Sequence, residues 1–174
     1  GHIAAVGYEL YCWLLEEAVG QLKGTPPPAR REVHVELGIE AYLPRSYIPS
    51  ERQRMEIYRR LAGCAAASEL KQLADDLADA YGQRPPMVET LLDLAEIRLR
   101  AGAIGVESII RVEPDLVFTV RDFHAVEGLF KDAPGTVRLP DARTAHWRMP
   151  PAYRQMPTLV NVLLNRLRRA GKDS

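Results

Sequence analysis

The sequence has few cysteines, no excess of charge of either sign and no long apolar run. Its 174 residues include two cysteines, Cys12 and Cys64, without a Cys-x-x-Cys pair, which argues against a disulfide framework and a zinc site. Twenty-three basic and twenty-three acidic residues cancel, which disfavours a nucleic-acid domain that relies on a basic field. No stretch approaches the roughly eighteen apolar residues of a membrane span. We therefore expect a cytoplasmic protein that binds another protein and no membrane.

Catalytic motifs are also missing. A phosphate-binding loop needs the pattern G-x-x-x-x-G-K-[ST], which does not occur, and no serine stands in a nucleophile elbow. The four histidines are scattered without metal-ligand spacing, at His2, His34, His124 and His146. We assign no catalytic, cofactor-binding or metal-binding residue. A small hydrolase would need polar groups that converge in a pocket, and the sequence pattern does not indicate such a group of residues.

The hydrophobic pattern predicts an α+β fold. Apolar stripes with helical period predict an N-terminal helix over Tyr8–Lys23, then three helices from about Glu51 to Ala62, from Ser68 to Tyr81, and from Met87 to near Gly102 or Gly105. Ser50 and Ser68 are the expected N-caps, with Gln53 at the capping-box spacing from Ser50. A final helix is expected over Pro157–Ala170, with Arg166, Arg168 and Arg169 at its C-terminal end, where they suit the helix dipole.

Short β-branched runs predict a small, mostly antiparallel sheet. Alternation over Val33–Ala41 indicates a half-buried strand, with Gly38 as a bulge or bend. Glu107–Glu113 and Leu116–Val120 read as a hairpin around Pro114-Asp115, and two more strands are expected near Pro140-Asp141. A short helix over Phe123–Lys131 separates the two pairs. The expected architecture is thus a helical half, a sheet and a C-terminal helix.

Three carboxylates stand together at Asp75, Asp76 and Asp79. They lie on the polar side of a predicted helix, where we expect water to reach them, whereas a catalytic pair of carboxylates requires desolvation. Two interpretations remain open, a solvated helix face and an acidic docking surface for arginines of another module. Arg59-Arg60 and the C-terminal arginines are either solubilising or contacts to nucleic acid.

The most informative passage runs from Gly38 to Leu61. Pro44 and Pro49 force the residues before them into extended conformations, so a rigid crossing leads into the helix capped by Ser50. The passage resembles one in the last domain of bacterial transcription-repair coupling factors, ATP-driven translocases that dislodge stalled RNA polymerase. The matching positions are Leu43, Pro44, Tyr47, Ile48, Pro49, Arg54, Tyr58, Arg59 and Arg60.

A second passage, residues 76 to 85, is similar to that family's E-L-x-D-R-F-G-x-x-P pattern. The positions that hold are Asp76, Leu77, Asp79, Tyr81, Gly82 and Pro85. Ala80 stands where the family has arginine, so any contact made by that arginine is absent. Residues 1 to 25 resemble the exit from the family's second motor lobe, which implies an exit helix and Pro-rich spacer over 1–25 and a C-terminal regulatory domain over 26–174.

The resemblance implies a non-catalytic, autoinhibitory module. In the family, this domain packs on the N-terminal UvrB-like module and masks the surface that recruits UvrA, so nucleotide excision repair awaits the encounter with RNA polymerase. Asp76 and Asp79 are the docking residues that we expect here. The motor of the parent translocase, which acts on duplex DNA, would bind ATP and magnesium. This segment would bind neither of them. The alternative is an accessory module of the same motor that contacts DNA or RNA polymerase, marked by salt-dependent duplex affinity.

Overall fold

The computed structural model describes residues 33–172, which form two compact units. One is Glu40–Glu96; the other combines Arg31–Ile39 with Ile97–Ser174, of which 33–39 and 97–172 are described. We call them the helical unit and the sheet unit. The predicted helix over Tyr8–Lys23, and with it the proposed boundary after residue 25, lies outside the described residues.

The helical unit contains α1 (Glu51–Gly63), α2 (Ala67–Tyr81) and the first part of α3 (Pro86–Ala103). All three lie where the apolar stripes predict them. Leu70, Leu73 and Leu77 of α2 are buried, as expected. The remaining core of this unit comes from the crossing and the other two helices, with Leu43, Ile48, Tyr58, Leu61, Val88, Leu91, Leu92 and Ala95 all buried.

The two predicted N-caps have different outcomes. The Ser50 side chain accepts a hydrogen bond from the Gln53 N–H at 3.3 Å, so the expected cap of α1 is confirmed. Ser68 is wrong as a cap, because α2 begins one residue earlier and its N-cap is Ala66. No side chain caps this helix, and Glu69 Oε2 accepts the N–H of Ala65, the residue before the N-cap, at 2.7 Å.

The sheet unit is built on five strands in the order β1-β2-β3-β5-β4. The first pair, β1 (His34–Glu36) and β2 (Val106–Val112), is parallel. The other neighbours are antiparallel and involve β3 (Asp115–Val120), β4 (Thr136–Asp141) and β5 (Thr144–Arg148). The expectation of a small, mostly antiparallel sheet within an α+β fold is confirmed.

One face of this sheet carries the core of the unit. Ile109, Phe118, Ala145 and Trp147 are fully buried on it. Helix α4 (Phe123–Phe130) packs there, with the Phe118 and Phe130 rings edge to face at 5.1 Å. Helix α5 (Thr158–Ala170) adds the buried residues Leu159, Val160, Leu163, Leu164, Leu167 and Ala170. The opposite face holds the alternate residues, which makes this a one-sided sheet.

Two strand predictions need correction. Strand β1 covers only three residues of the predicted Val33–Ala41, although Val33, Val35 and Leu37 are buried in alternation as expected. Its ladder ends at the Glu36–Ile110 pair, and Gly38 bends the chain with a φ of 68°. The first hairpin turns at Glu113-Pro114, because Asp115 is already the first residue of β3 and is buried.

Arg166 also departs from expectation. We predicted a surface arginine near the C-terminus of α5, but Arg166 is 7% exposed. Its guanidinium donates to the carbonyls of Leu129, at 3.2 Å, and Lys131 at the end of α4. Burial lowers the pKa of Arg166 from its ordinary value, and the carbonyls that end a helix offset part of that desolvation. This arginine therefore holds α4 and α5 together.

Candidate functional site

The signature passage between Leu43 and Tyr58 forms a cluster of hydrogen bonds within the helical unit. The buried Tyr58 hydroxyl accepts the Leu43 N–H at 2.7 Å. Arg54 is 4% exposed, and its guanidinium donates to the carbonyls of Ile48 and Pro49 at 2.7 and 3.0 Å. Since prolines interrupt any regular backbone ladder here, these side chains satisfy polar groups that no helix or strand would satisfy.

Tyr47 connects the crossing to the C-terminal end of α2. Its hydroxyl lies 3.1 Å from the Leu77 carbonyl and 2.9 Å from the Gly82 carbonyl, so one proton is shared between two acceptors. The Tyr47 and Tyr81 rings meet edge to face at 5.8 Å. Burial raises the pKa of Tyr47, with the Arg84 charge acting in the opposite direction. Tyr47 thus ties the crossing to the last turn of α2 and to its C-cap residue Gly82.

The second signature passage is fixed in the same way. Gly82 ends α2 with φ 85° and ψ −166°, a conformation open essentially to glycine alone. Arg84 donates to the Ala74 carbonyl at 2.7 Å and to Glu89 at 2.8 Å. The Pro85 carbonyl accepts the N–H groups of Val88 and Glu89, in the first turn of α3. The signature residues of both passages therefore shape the connections between the helices.

Asp76 has a partner within its own unit. Its carboxylate receives the Arg60 guanidinium of α1 at 2.5 Å and the Gln72 amide at 2.9 Å. These two hydrogen bonds, with the Arg60 charge, lower the pKa of Asp76. We expected Asp76 to face away from the rest of the unit, but it links α2 to α1. The sequence offered one signal for this pair, the Tyr58-Arg59-Arg60 triplet in the signature, which we took to be solubilising.

Asp75 and Asp79 are exposed on α2, four residues apart and therefore on one side of the helix. We call Asp75, Asp76 and Asp79 the acidic face. Ala80, next to Asp79, is exposed as well. Because Arg60 neutralises Asp76, the outward charge of this face resides on Asp75 and Asp79. A partner would meet two exposed carboxylates.

In residues 33–172, no group of three or more His, Cys, Asp or Glu side chains could hold a metal ion. Three histidines lie beside carboxylates, in the pairs His34–Glu36, His124–Glu127 and His146–Asp115. An open groove of about 860 Å³ in the sheet unit is lined by glycines and by side chains of both charge signs. Among the described helices, none is long and apolar enough to cross a membrane.

Known proteins share both the sequence and the fold. Residues 37–128 match the TRCF domain family. A transcription-repair-coupling factor of Staphylococcus epidermidis is 40% identical over 111 residues, which are 63% of this chain and 10% of that protein. The corresponding protein of Staphylococcus haemolyticus is 39% identical over the same length. The chain thus spans about a tenth of the length of these relatives.

A solved structure supports the same assignment at the level of fold. The crystal structure of a C-terminal domain of transcription-repair coupling factor superposes with a TM-score of 0.69 at 16% sequence identity, over 82% of this chain and 96% of that one. The family match covers more than half of the chain, and it includes both signature passages. The chain therefore belongs to the TRCF domain family and has the fold of a transcription-repair coupling factor C-terminal domain.

Proposed function

We propose that this chain is a non-catalytic regulatory domain that restrains a transcription-repair coupling factor by docking on its N-terminal UvrB-like module. Docked, it masks the surface that recruits UvrA until RNA polymerase is engaged. The observation that carries the proposal is the acidic face, whose Asp76 and Asp79 lie in the second signature passage of the family. The parent would hydrolyse ATP with magnesium in its motor, on duplex DNA, and this segment would bind neither.

The arrangement of the signature residues supports docking through charge. Most of them are occupied in holding the helical unit together, including Arg54, Tyr47 and Tyr58. Asp79 is the member that has its carboxylate exposed. A carboxylate on a rigid helix suits an arginine of a partner module, because charge-assisted hydrogen bonds give specificity as well as energy.

The alternative, a module that contacts nucleic acid, loses several of its candidate residues. Arg59 pairs with Glu56 and Arg60 with Asp76, while Arg166 is buried. Neutral overall charge already disfavoured a phosphate-binding surface. A protein partner is therefore the better explanation of the exposed carboxylates.

A single charge reversal in the full-length parent tests the proposal. Asp79→Lys replaces an attraction with a repulsion, and exposed pairs of this kind contribute about 1 kcal/mol or less. We expect UvrA to bind roughly fivefold more tightly and ATP hydrolysis without RNA polymerase to rise. Reversing Asp76 is less informative, since it also breaks the pair with Arg60.

Glu127→Lys is the matched control, because Glu127 is an exposed carboxylate on a helix of the other unit, with a side chain 77% exposed. It should leave UvrA affinity unchanged. The isolated chain should show no ATP hydrolysis above background, with or without duplex DNA. Equal UvrA affinities for the parent and the Asp79 variant, with folding intact, would show that the acidic face is only a solvated helix surface.

A further inference from the structure

The face of the sheet opposite its core, which we call the open face, carries two arginines and a histidine around one buried carboxylate. Asp115 accepts hydrogen bonds from Arg148 at 2.7 and 3.4 Å and from Arg138 at 3.3 Å, and His146 Nδ1 lies 3.8 Å away. The Asp115 side chain is 9% exposed, whereas those of Arg148 and Arg138 are 48% and 62% exposed. We call Arg138, His146 and Arg148 the cationic cluster.

The ladder register explains why these residues meet. Arg138 of β4 stands opposite His146 of β5, and His146 stands opposite Val117 of β3. Residues opposite one another on a ladder share a face, so the two arginines and His146 come together above Asp115. Sequence reasoning missed this cluster because its members and Asp115 lie on three strands, and the sequence did not show that β3 pairs with β5.

One arginine would be enough to neutralise Asp115. Arg148 already contacts both carboxylate oxygens, so within the group of Asp115, Arg138 and Arg148 one positive charge is in excess, and Asp141 is a further carboxylate that interacts with His146. The negative charge is buried and both guanidinium groups are exposed, so a partner meets a positive surface. Asp115 also fixes the two forks in place, which reduces the ordering cost of binding a further carboxylate.

An apolar hollow adjoins the cationic cluster. It has a volume of about 240 Å³ and is lined by Arg138, Leu139, Pro140 and His146. An irregularity in the β4–β5 ladder between Arg138 and Asp141 accompanies it, and Leu139 is 57% exposed there. The volume is below the range of about 300–1,000 Å³ that is usual for small-molecule sites, and it suits one side chain of a partner.

We propose that this face of the sheet binds an acidic peptide segment of a partner protein, with a carboxylate on the cationic cluster and a neighbouring apolar side chain in the hollow. Pro140 removes a donor from the edge strand β4, which favours recognition by side chains over strand addition. Nucleic acid fits less well. The sheet aromatics Phe118 and Trp147 are buried on the other face, so the described strands offer no Phe, Tyr or Trp on which bases could stack.

The test uses fluorescence polarisation with a short labelled peptide in which glutamate alternates with valine. We expect saturable binding that weakens with salt, and about a tenfold loss of affinity for Arg138→Gln, the usual scale for a lost charge-assisted hydrogen bond. Arg59→Gln is the matched control, since the Arg59 side chain is 55% exposed and ion-paired on α1. It should bind like the unchanged chain.

Two further variants keep the result interpretable. Arg138→Lys retains the positive charge but lacks the paired N–H donors of the guanidinium group, so it should lose less affinity than Arg138→Gln. If Arg138→Gln fails to fold by circular dichroism, Leu139→Asp serves instead, because it adds a negative charge at an exposed position beside the hollow and should also weaken binding.

Four results would overturn the proposal. The first is the absence of saturable binding, and the second is equal affinity for a peptide with glutamine in place of glutamate. The third is displacement of the peptide by duplex DNA added at a comparable concentration of negative charge. The fourth is self-association of the chain that Arg138→Gln removes. The third would assign the face to nucleic acid and the fourth to a second copy of this chain.

Discussion

At the scale of single residues, the signature passages encode structure more than contact with a partner. Tyr58 and Arg54 are buried in the helical unit, and each satisfies backbone groups of the crossing. A position can therefore mark a family without touching anything outside the domain. The exposed Asp79 is different, because no packing requirement accounts for a carboxylate there.

Removing the Tyr58 hydroxyl should be costly. Tyr58→Phe leaves the Leu43 N–H buried without an acceptor, and such a group costs about 1–3 kcal/mol in free energy of unfolding. Urea denaturation monitored by circular dichroism measures the loss. Tyr153→Phe is the control, since Tyr153 is 37% exposed and water can replace any contact. A Tyr58 variant as stable as the control would show that the hydrogen bond to Leu43 contributes nothing net.

Asp115 should make the stability of the sheet unit depend on pH. The hydrogen bond from Arg148 is the main cause that holds the pKa of Asp115 below its ordinary value of 3.8, and burial opposes it. A carboxyl whose pKa is lower in the folded state contributes stability above its unfolded pKa, and that stability is lost as pH falls through the folded pKa.

Asp115→Asn provides the measurement. Its deficit in free energy of unfolding should be greatest above about pH 4, the unfolded pKa of an aspartate, and should shrink as the pH falls below that value. Urea titrations of both proteins at several pH values check this. Asp122 is not a suitable control position, because its side chain accepts the His124 N–H as the N-cap of α4, and its substitution would itself change stability. A deficit independent of pH would mean that the pair with Arg148 acts through packing alone.

At the scale of elements, the helical unit was well predicted and the sheet unit less so. Amphipathic stripes and punctuating glycines locate α1, α2 and α3 because a helix is decided by neighbours along the chain. The sheet depends on partners distant in sequence, so neither the parallel pairing of β1 with β2 nor the cluster above Asp115 was foreseeable. Arg166 shows the same limit, since only the tertiary contact of α5 with the end of α4 explains its burial.

Gly82 tests whether the end of α2 depends on backbone conformation. An added Cβ meets no atom within 4 Å there, so any cost of Gly82→Ala comes from φ 85° alone. We expect about 1–3 kcal/mol of destabilisation. Gly63→Ala, at the end of α1, has equal space and no positive φ, and should be neutral or slightly stabilising. Thermal unfolding compares the two, and equal melting temperatures would show that the backbone at Gly82 relaxes freely.

At the scale of the whole molecule, two surfaces of opposite charge coexist in a chain without net charge. The acidic face belongs to the helical unit, and the cationic cluster belongs to the sheet unit. Each unit has its own core, so we expect a substitution on one surface to leave the other surface folded. The effect of each substitution on binding can then be measured separately. A neutral chain with two oppositely charged surfaces can bind different partners by local complementarity, while long-range attraction to nucleic acid stays small.

Removal of residues 1 to 25 is the prediction that belongs to this scale. The run Pro26-Pro27-Pro28 stiffens the chain and separates the predicted exit helix from the residues that follow. Among the described residues, Val33 is the first that belongs to the core of the sheet unit; it is buried, with its side chain 3.1 Å from the position of a Cβ at Gly102.

We therefore expect the chain from residue 26 onward to fold alone and to keep a single cooperative thermal transition, within a few degrees of the full chain. Differential scanning calorimetry gives the measurement. Truncation after residue 37 is the comparison, because it removes Val33, Val35 and Leu37, all buried, and should abolish that transition or lower its midpoint strongly. If the shorter truncation already loses cooperativity, the first 25 residues belong to the core and the domain boundary lies elsewhere.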